Sequence, residues 1–297
     1  MKNIILLFLL LPFISFSQER KLDVDFQDWK LYAPLSLLDS VQAFHKFGAN
    51  DAISTGTAED IWAAGGTFPL HTTADTLQVV SSEVTDSTTS TGCLTLVIQG
   101  IDLAGEYLSD TVTMTGTTTA TTDVEFLYVN HAYCNTAGTN RTNAGNITIT
   151  HKDDATTIAY ILAGKSQAQQ LIYAVPTNET LLLSSTYFSL DSPNSQPSTN
   201  PRGNVGLFLL DSYLVATSTW RELRVGSLNG DGSSSVSYEY EPYFKINGGS
   251  LIKARVTSSL ETAQEFSGSF NGYLIKSNAV TENTRLKTLN KIGTFDF

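Results

Sequence analysis

Apolar and polar positions alternate with a period of two along most of this chain from residue 45 onward, the pattern of strands whose side chains point to opposite faces. In Cys93–Gln99, Leu94, Leu96 and Ile98 alternate with Cys93, Thr95, Val97 and Gln99. The turn Gln99–Gly105 then leads into a second run, Glu106–Met114. Further strands are predicted at 124–133, 146–150, 157–162, 170–175, 181–190, 205–215, 220–225, 234–240, 250–256 and 266–275. Gly, Asn, Asp and Ser clusters separate these β-branched and aromatic runs. About a dozen strands with little helix predict an all-β chain, an antiparallel β-sandwich or jelly-roll with the apolar face of one sheet against the other. A short helix is expected only at Leu35–Gln42, within a mixed segment that also holds Trp29 and Tyr32.

Two stretches interrupt the pattern. Asp191–Asn204 carries three prolines and no larger apolar side chain. It reads as a long surface loop between two strands of one sandwich, or else as a linker between two sub-domains. Thr111–Thr122 is rich in threonine but keeps its alternation, and reads as a hairpin with one solvated face. The resulting organisation is a leader at 1–17, an N-terminal arm at 18–44, a β-sandwich domain at 45–276 and a C-terminal arm at 277–297.

Lys2, the apolar run Ile4 to Phe16 and the small residues around Ser17 form the three-part layout of a secretory signal peptide, with cleavage expected after Ser17. The run falls short of the roughly 20 apolar residues that span a bilayer. No cysteine follows it to accept a lipid.

The 297 residues are 41% hydrophobic and 16% charged, with a net charge of −11. That charge lacks the basic footprint of a general nucleic-acid binder. Aromatic residues at 10% and an ordinary apolar fraction argue for a folded core. Cys93 and Cys134, the only cysteines, are either one disulfide closing a loop of about 40 residues, stabilising by very roughly 3–4 kcal/mol, or two small buried hydrophobes. Without further ligands at paired spacing they do not form a structural zinc site.

Chemistry is otherwise sparse. His45, His71, His131 and His151 show no close metal-ligand spacing. No Gly-x-Ser-x-Gly elbow or P-loop is present. Acidic residues are numerous, but no pair can be singled out for glycoside hydrolysis. No catalytic, cofactor-binding or metal-binding residue is therefore assigned, and no cofactor. Asn229-Gly-Asp-Gly-Ser233 has oxygen side chains at alternate positions but lacks the later positions of a calcium loop, and reads as a tight turn between strands. Val236, Tyr238 and Tyr240, with Tyr243 and Phe244 behind, form an aromatic stripe. It reads as an inner strand face with Glu239 and Glu241 turned to water; exposed, it would stack on sugar rings.

One ordered set of segments carries a resemblance. Phe44-His-Lys-Phe-Gly-Ala-Asn-Asp51 is followed by Ile53-Ser-Thr-Gly-Thr-Ala-Glu-Asp-Ile-Trp-Ala-Ala-Gly-Gly66. Next come Gly100–Gly116, Val129–Tyr133, Asn143–Ile149, Ala163–Gln167, Tyr173–Pro176 and Thr186–Ser189. In this order the segments resemble a widespread family of tailed-bacteriophage virion structural proteins, over roughly residues 44–276. The resemblance implies a β-rich, non-enzymatic particle component (capsid-associated, neck or tail) without catalytic residues. Its partners would be other virion proteins and further copies of itself, and no nucleic acid. The leader and the tail beyond residue 276 depart from the family's pattern. They keep open an exported bacterial β-sandwich protein for carbohydrate binding or adhesion, secreted instead of virion-bound, with a surface glycan as its partner.

Overall fold

The computed structural model describes residues 33–35, 38, 40–54, 56–191, 202–229, 233–259 and 264–276. The leader, most of the N-terminal arm and the C-terminal arm lie outside the described residues. So do most of the 191–204 stretch and the centre of the Asn229–Ser233 turn. Sixteen strands follow one another. They are β1 (Val41–Ile53), β2 (Glu59–Asp60), β3 (Asp75–Ser81), β4 (Cys93–Ile101), β5 (Tyr107–Thr113), β6 (Ala120–Phe126), β7 (Tyr128–Ala137) and β8 (Ile147–His151). After these come β9 (Thr157–Ile161), β10 (Ile172–Ala174), β11 (Glu179–Asp191), β12 (Arg202–Leu210), β13 (Trp220–Asn229), β14 (Ser233–Ile246), β15 (Leu251–Ser259) and β16 (Gln264–Lys276). There is no helix among the described residues, and so none long and apolar enough to cross a membrane.

The strands form four antiparallel sheets packed as sandwich-like layers. Their orders are β1-β16-β11-β14, β10-β15-β12-β13 with β2 also on β15, β6-β3-β8-β9, and β5-β4-β7. The period-two pattern has its physical cause here. In β8 and β16 every second side chain is buried between two sheets and its neighbours are not. The last two sheets enclose one core, with Leu77, Ile98, Tyr128 and Ile149 at its centre. The first two enclose another, around Leu183, Phe188, Leu207, Phe266 and Phe270. In chain order, the sandwich of β3–β9 is thus inserted between β2 and β10 of an outer sandwich.

Cys93 and Cys134 are joined in a disulfide between β4 and β7, with Cα atoms 5.7 Å apart. The 41-residue separation is worth about 4 kcal/mol through restriction of the unfolded chain. Of the two readings left open by the sequence, the bridged one holds.

Several expectations are revised. Val41 and Gln42 begin a strand, not a helix, and β1 takes the last four residues assigned to the N-terminal arm. The run at 124–133 is two strands, β6 and β7, in different sheets. It breaks at Leu127, whose N–H donates to Ile101 O at 2.8 Å. The Thr111–Thr122 hairpin does not form, because β5 pairs with β4 and β6 with β3. The strand at 205–215 stops at Leu210. β13 and β14, flanking Asn229–Ser233, also belong to different sheets. β11 and β12, flanking 191–204, line the same outer core; the inner core is built chiefly from β3–β9, with Trp62, Phe68, Leu210, Tyr213 and Leu251 added from the outer sandwich and its connections.

Candidate functional site

The segment 166–171 joins the two sandwiches. On its inner side Cys134 N donates to Ser166 O and Ala168 N to Ala132 O, each at 2.8 Å. Gln170 Nε2 reaches Val129 O at 2.6 Å. On its outer side Ala63 N donates to Gln169 O at 3.0 Å and Leu171 N to Ile61 O at 2.8 Å. β1 presses on the same segment at Gly48, where a Cβ atom would lie 2.1 Å from Leu171 N. Only glycine allows that approach.

Asn130 completes this seam. The β4–β7 register shifts between Gln99 and Gly100 and skips Asn130. Its side-chain amide instead pairs with a main-chain residue of the outer sandwich. Nδ2 donates to Ala174 O and Oδ1 accepts from Ala174 N, both at 2.8 Å. The Asn130 carbonyl accepts from Lys46 Nζ.

Of the segments that carry the resemblance, Phe44–Asp51, Ile53–Gly66, Val129–Tyr133 and Tyr173–Pro176 meet here. Glu59, its carboxylate held below the usual range, accepts from Ser54 N and Gly66 N at 2.9 Å and from Asn50 Nδ2 at 3.3 Å. Burial pushes this carboxyl up, and the hydrogen bonds outweigh it. Asp60 is fully buried, accepts from Phe68 N at 2.7 Å and pairs with Lys253 Nζ at 2.8 Å. Trp62 Nε1 donates to Gly66 O at 3.3 Å, and Gly65 and Gly66 take positive φ values of 73° and 69°. The Gly-Gly step is there to turn the chain back onto Glu59.

Beside the seam lies a groove of about 870 Å³ between the sandwiches. Its floor is Lys46, and its walls include Phe44, Gln99, Tyr107, His131, Gln167, Tyr173 and Glu179. Burial without a carboxylate partner pushes the Lys46 amine down to about 7. His131 is lowered by burial and then by Lys46; its bond to Gln167 opposes this. Burial raises Glu179, Tyr107 and Tyr173. Glu179 is the one carboxylate lining the groove among the described residues. Amides, phenols and aromatic faces suit hydrogen bonding and stacking; the paired carboxylates of glycoside hydrolysis are not assembled there.

The four histidines fall in two places. His45, exposed and bonded to Asn271 at 2.7 Å, and His131 both line the groove. His71 and His151, far apart in sequence, stack with ring centroids 3.8 Å apart beside Asp154. Burial pushes His71 down to about 4; the His151 ring adds to this and Asp154 opposes it. No spacing rule could have joined positions 71, 151 and 154. They meet because His151 ends β8 where it pairs with Leu77 of β3, just beyond the connection that holds His71.

The aromatic stripe is half-buried against the outer core, with Glu239 and Glu241 exposed between its members. Lys253 sits on the central strand β15, 2% exposed, because Asp60 neutralises it there. Trp220 covers its ammonium at 4.3 Å.

No family model matches this chain, and no curated protein matches it. Solved structures give only faint likenesses. T=1 particles derived from infectious bursal virus are 11% identical over 80% of this chain and 70% of theirs, with a TM-score of 0.16. The infectious bursal disease virus VP2 subviral particle is 11% identical over 81% and 73%, with a TM-score of 0.13. Similarity this low carries no argument.

Proposed function

We propose that this chain is a non-enzymatic structural protein of a tailed-phage virion, docking onto other virion subunits and further copies of itself. One observation carries the reading. Lys46, Gly48, Asn50, Glu59, Asp60, Trp62, Gly65 and Gly66, residues behind the resemblance, are spent on scaffolding: Lys46 bonds across to Asn130 of the inner sandwich, Gly48 packs on the joining segment, and the others fold the 50–68 connection onto itself. A motif of this kind specifies a frame, as a particle component requires. Exposed apolar side chains on connecting loops, Leu103, Leu214 and Val215, supply contact surface away from sheet edges. Edge strand β14 carries exposed Glu239 and Glu241 followed by Pro242, which blunt it against random pairing. Mass spectrometry of purified particles tests the proposal. Peptides of this chain should copurify with the particles; a chain found free in culture supernatant and missing from particles ends the structural reading.

The groove favours a second reading, an exported glycan-binding or adhesion protein. Tyr107, 53% exposed, offers a stacking face beside the amides of Gln99 and Gln167. Glycan-array binding that is lost in Tyr107→Ala would support it.

A further inference from the structure

We propose that His71, His151 and Asp154 form a transition-metal site with the donor set of Zn²⁺. One nitrogen of each imidazole and one carboxylate oxygen lie within 4.8 Å of one another. His71 Nδ1 stands 3.9 Å from Asp154 Oδ2. Both imidazoles are buried, and the Nε2 atom of each has no hydrogen-bond partner. Leaving two such atoms unpaired costs about 1–3 kcal/mol apiece. With its proton on Nε2, the His71 ring keeps the Nδ1 lone pair turned toward Asp154 Oδ2.

The surroundings hold the donors in place. The His71 main chain is clamped at both polar groups by one phenol. Its N–H donates to Tyr128 Oη and its carbonyl accepts from it, each at 3.0 Å. His151 N donates to Thr156 O at 3.0 Å and so closes the turn that carries Asp154. Within that turn Asp154 Oδ1 accepts from Thr156 N at 2.8 Å, which leaves Oδ2 directed at His71. Asp75 and Asp153 add negative charge beside His151. Zinc bonds of about 2.0–2.2 Å need these donors to converge by roughly 1 Å, within reach of side-chain rotation by the exposed Asp154. Two imidazoles with one carboxylate favour a borderline transition ion over Ca²⁺ or Mg²⁺, which prefer all-oxygen shells. The bound ion would tie the connection entering β3 to the far end of β8.

Titration of the full chain, stripped with chelator, with Co²⁺ and Zn²⁺ tests the site. Expected are equimolar binding, visible d–d absorption from Co²⁺ and a raised melting temperature with Zn²⁺. Asp154→Asn, at an exposed position, should fold normally and weaken binding by about tenfold or more. His151→Gln should abolish it, and His45→Gln should leave it unchanged. Folded chain that takes up no metal, or equal affinity in Asp154→Asn and the parent chain, overturns the proposal.

Discussion

Lys46 and Asp86 show opposite ways of burying a charged group. Asp86 is fully buried, and its carboxylate accepts from Ser81 Oγ at 2.6 Å, Cys93 N and Ala144 N at 2.7 Å and Gly145 N at 2.9 Å. Its charge is answered on all sides, and it knots three loops together. Lys46 has one carbonyl and no counter-charge. Its amine is held down near 7 from the ordinary 10.5, so between those values the unfolded chain binds more protons than the folded one. Stability therefore rises with pH from about 7 to about 10.5 and is lowest below that window. Lys46→Met should remove this slope and stabilise the protein near pH 6 by about 1–4 kcal/mol, reduced by about 1 kcal/mol for the carbonyl left without a donor. Urea unfolding at about pH 6 and about pH 9 reads both effects. A parent chain with equal stability at the two values would show that the amine stays charged in the fold.

Among elements, β1 is the most constrained. It lies at a sheet edge beside β16, yet packs its Gly48 directly onto Leu171. Gly48→Ala drives a methyl group into main chain that cannot swing aside. The expected cost is about 3 kcal/mol, read as a lowered urea midpoint. Gly56→Ala, with open space at its Cβ position, meets no such clash; at positive φ it pays only backbone strain of about 1 kcal/mol. Strands such as β8 and β16 were legible because burial at every second residue writes itself into the sequence. β1 was not, since its burial follows three neighbours at once and its pattern breaks at Gly48–Asn50. Sheet partners were hidden for another reason. A turn rich in Thr or Asn-Gly looks the same whether the next strand folds back beside the last or crosses to the facing sheet. Asp86 and the His71–His151 pair were invisible because their partners come from distant segments that only the topology brings together.

For the whole molecule, the two sandwiches are joined by the seam along 166–174 and by Leu210, Tyr213 and Leu251, which pack into the inner core. Buried Asn130 is the side chain the seam depends on most, because it supplies both a donor and an acceptor to Ala174. The parent chain should unfold in a single calorimetric transition. Asn130→Ala should split it in two, one for the inner sandwich of β3–β9 and one for the outer, and an unsplit transition would show that packing alone couples them. The insertion also has a consequence for the order in which the chain is made. β1 is synthesised early, but its strand partner comes last, as the bond between His45 and Asn271 across 226 positions shows. By Ile161 the inner sandwich has all of its strands and both halves of its disulfide. While the ribosome is still producing the remainder, that finished unit is the surface available to β1, through the Asn130 carbonyl and the segment that follows it. The newborn strand thus has no sheet partner until β16 is made.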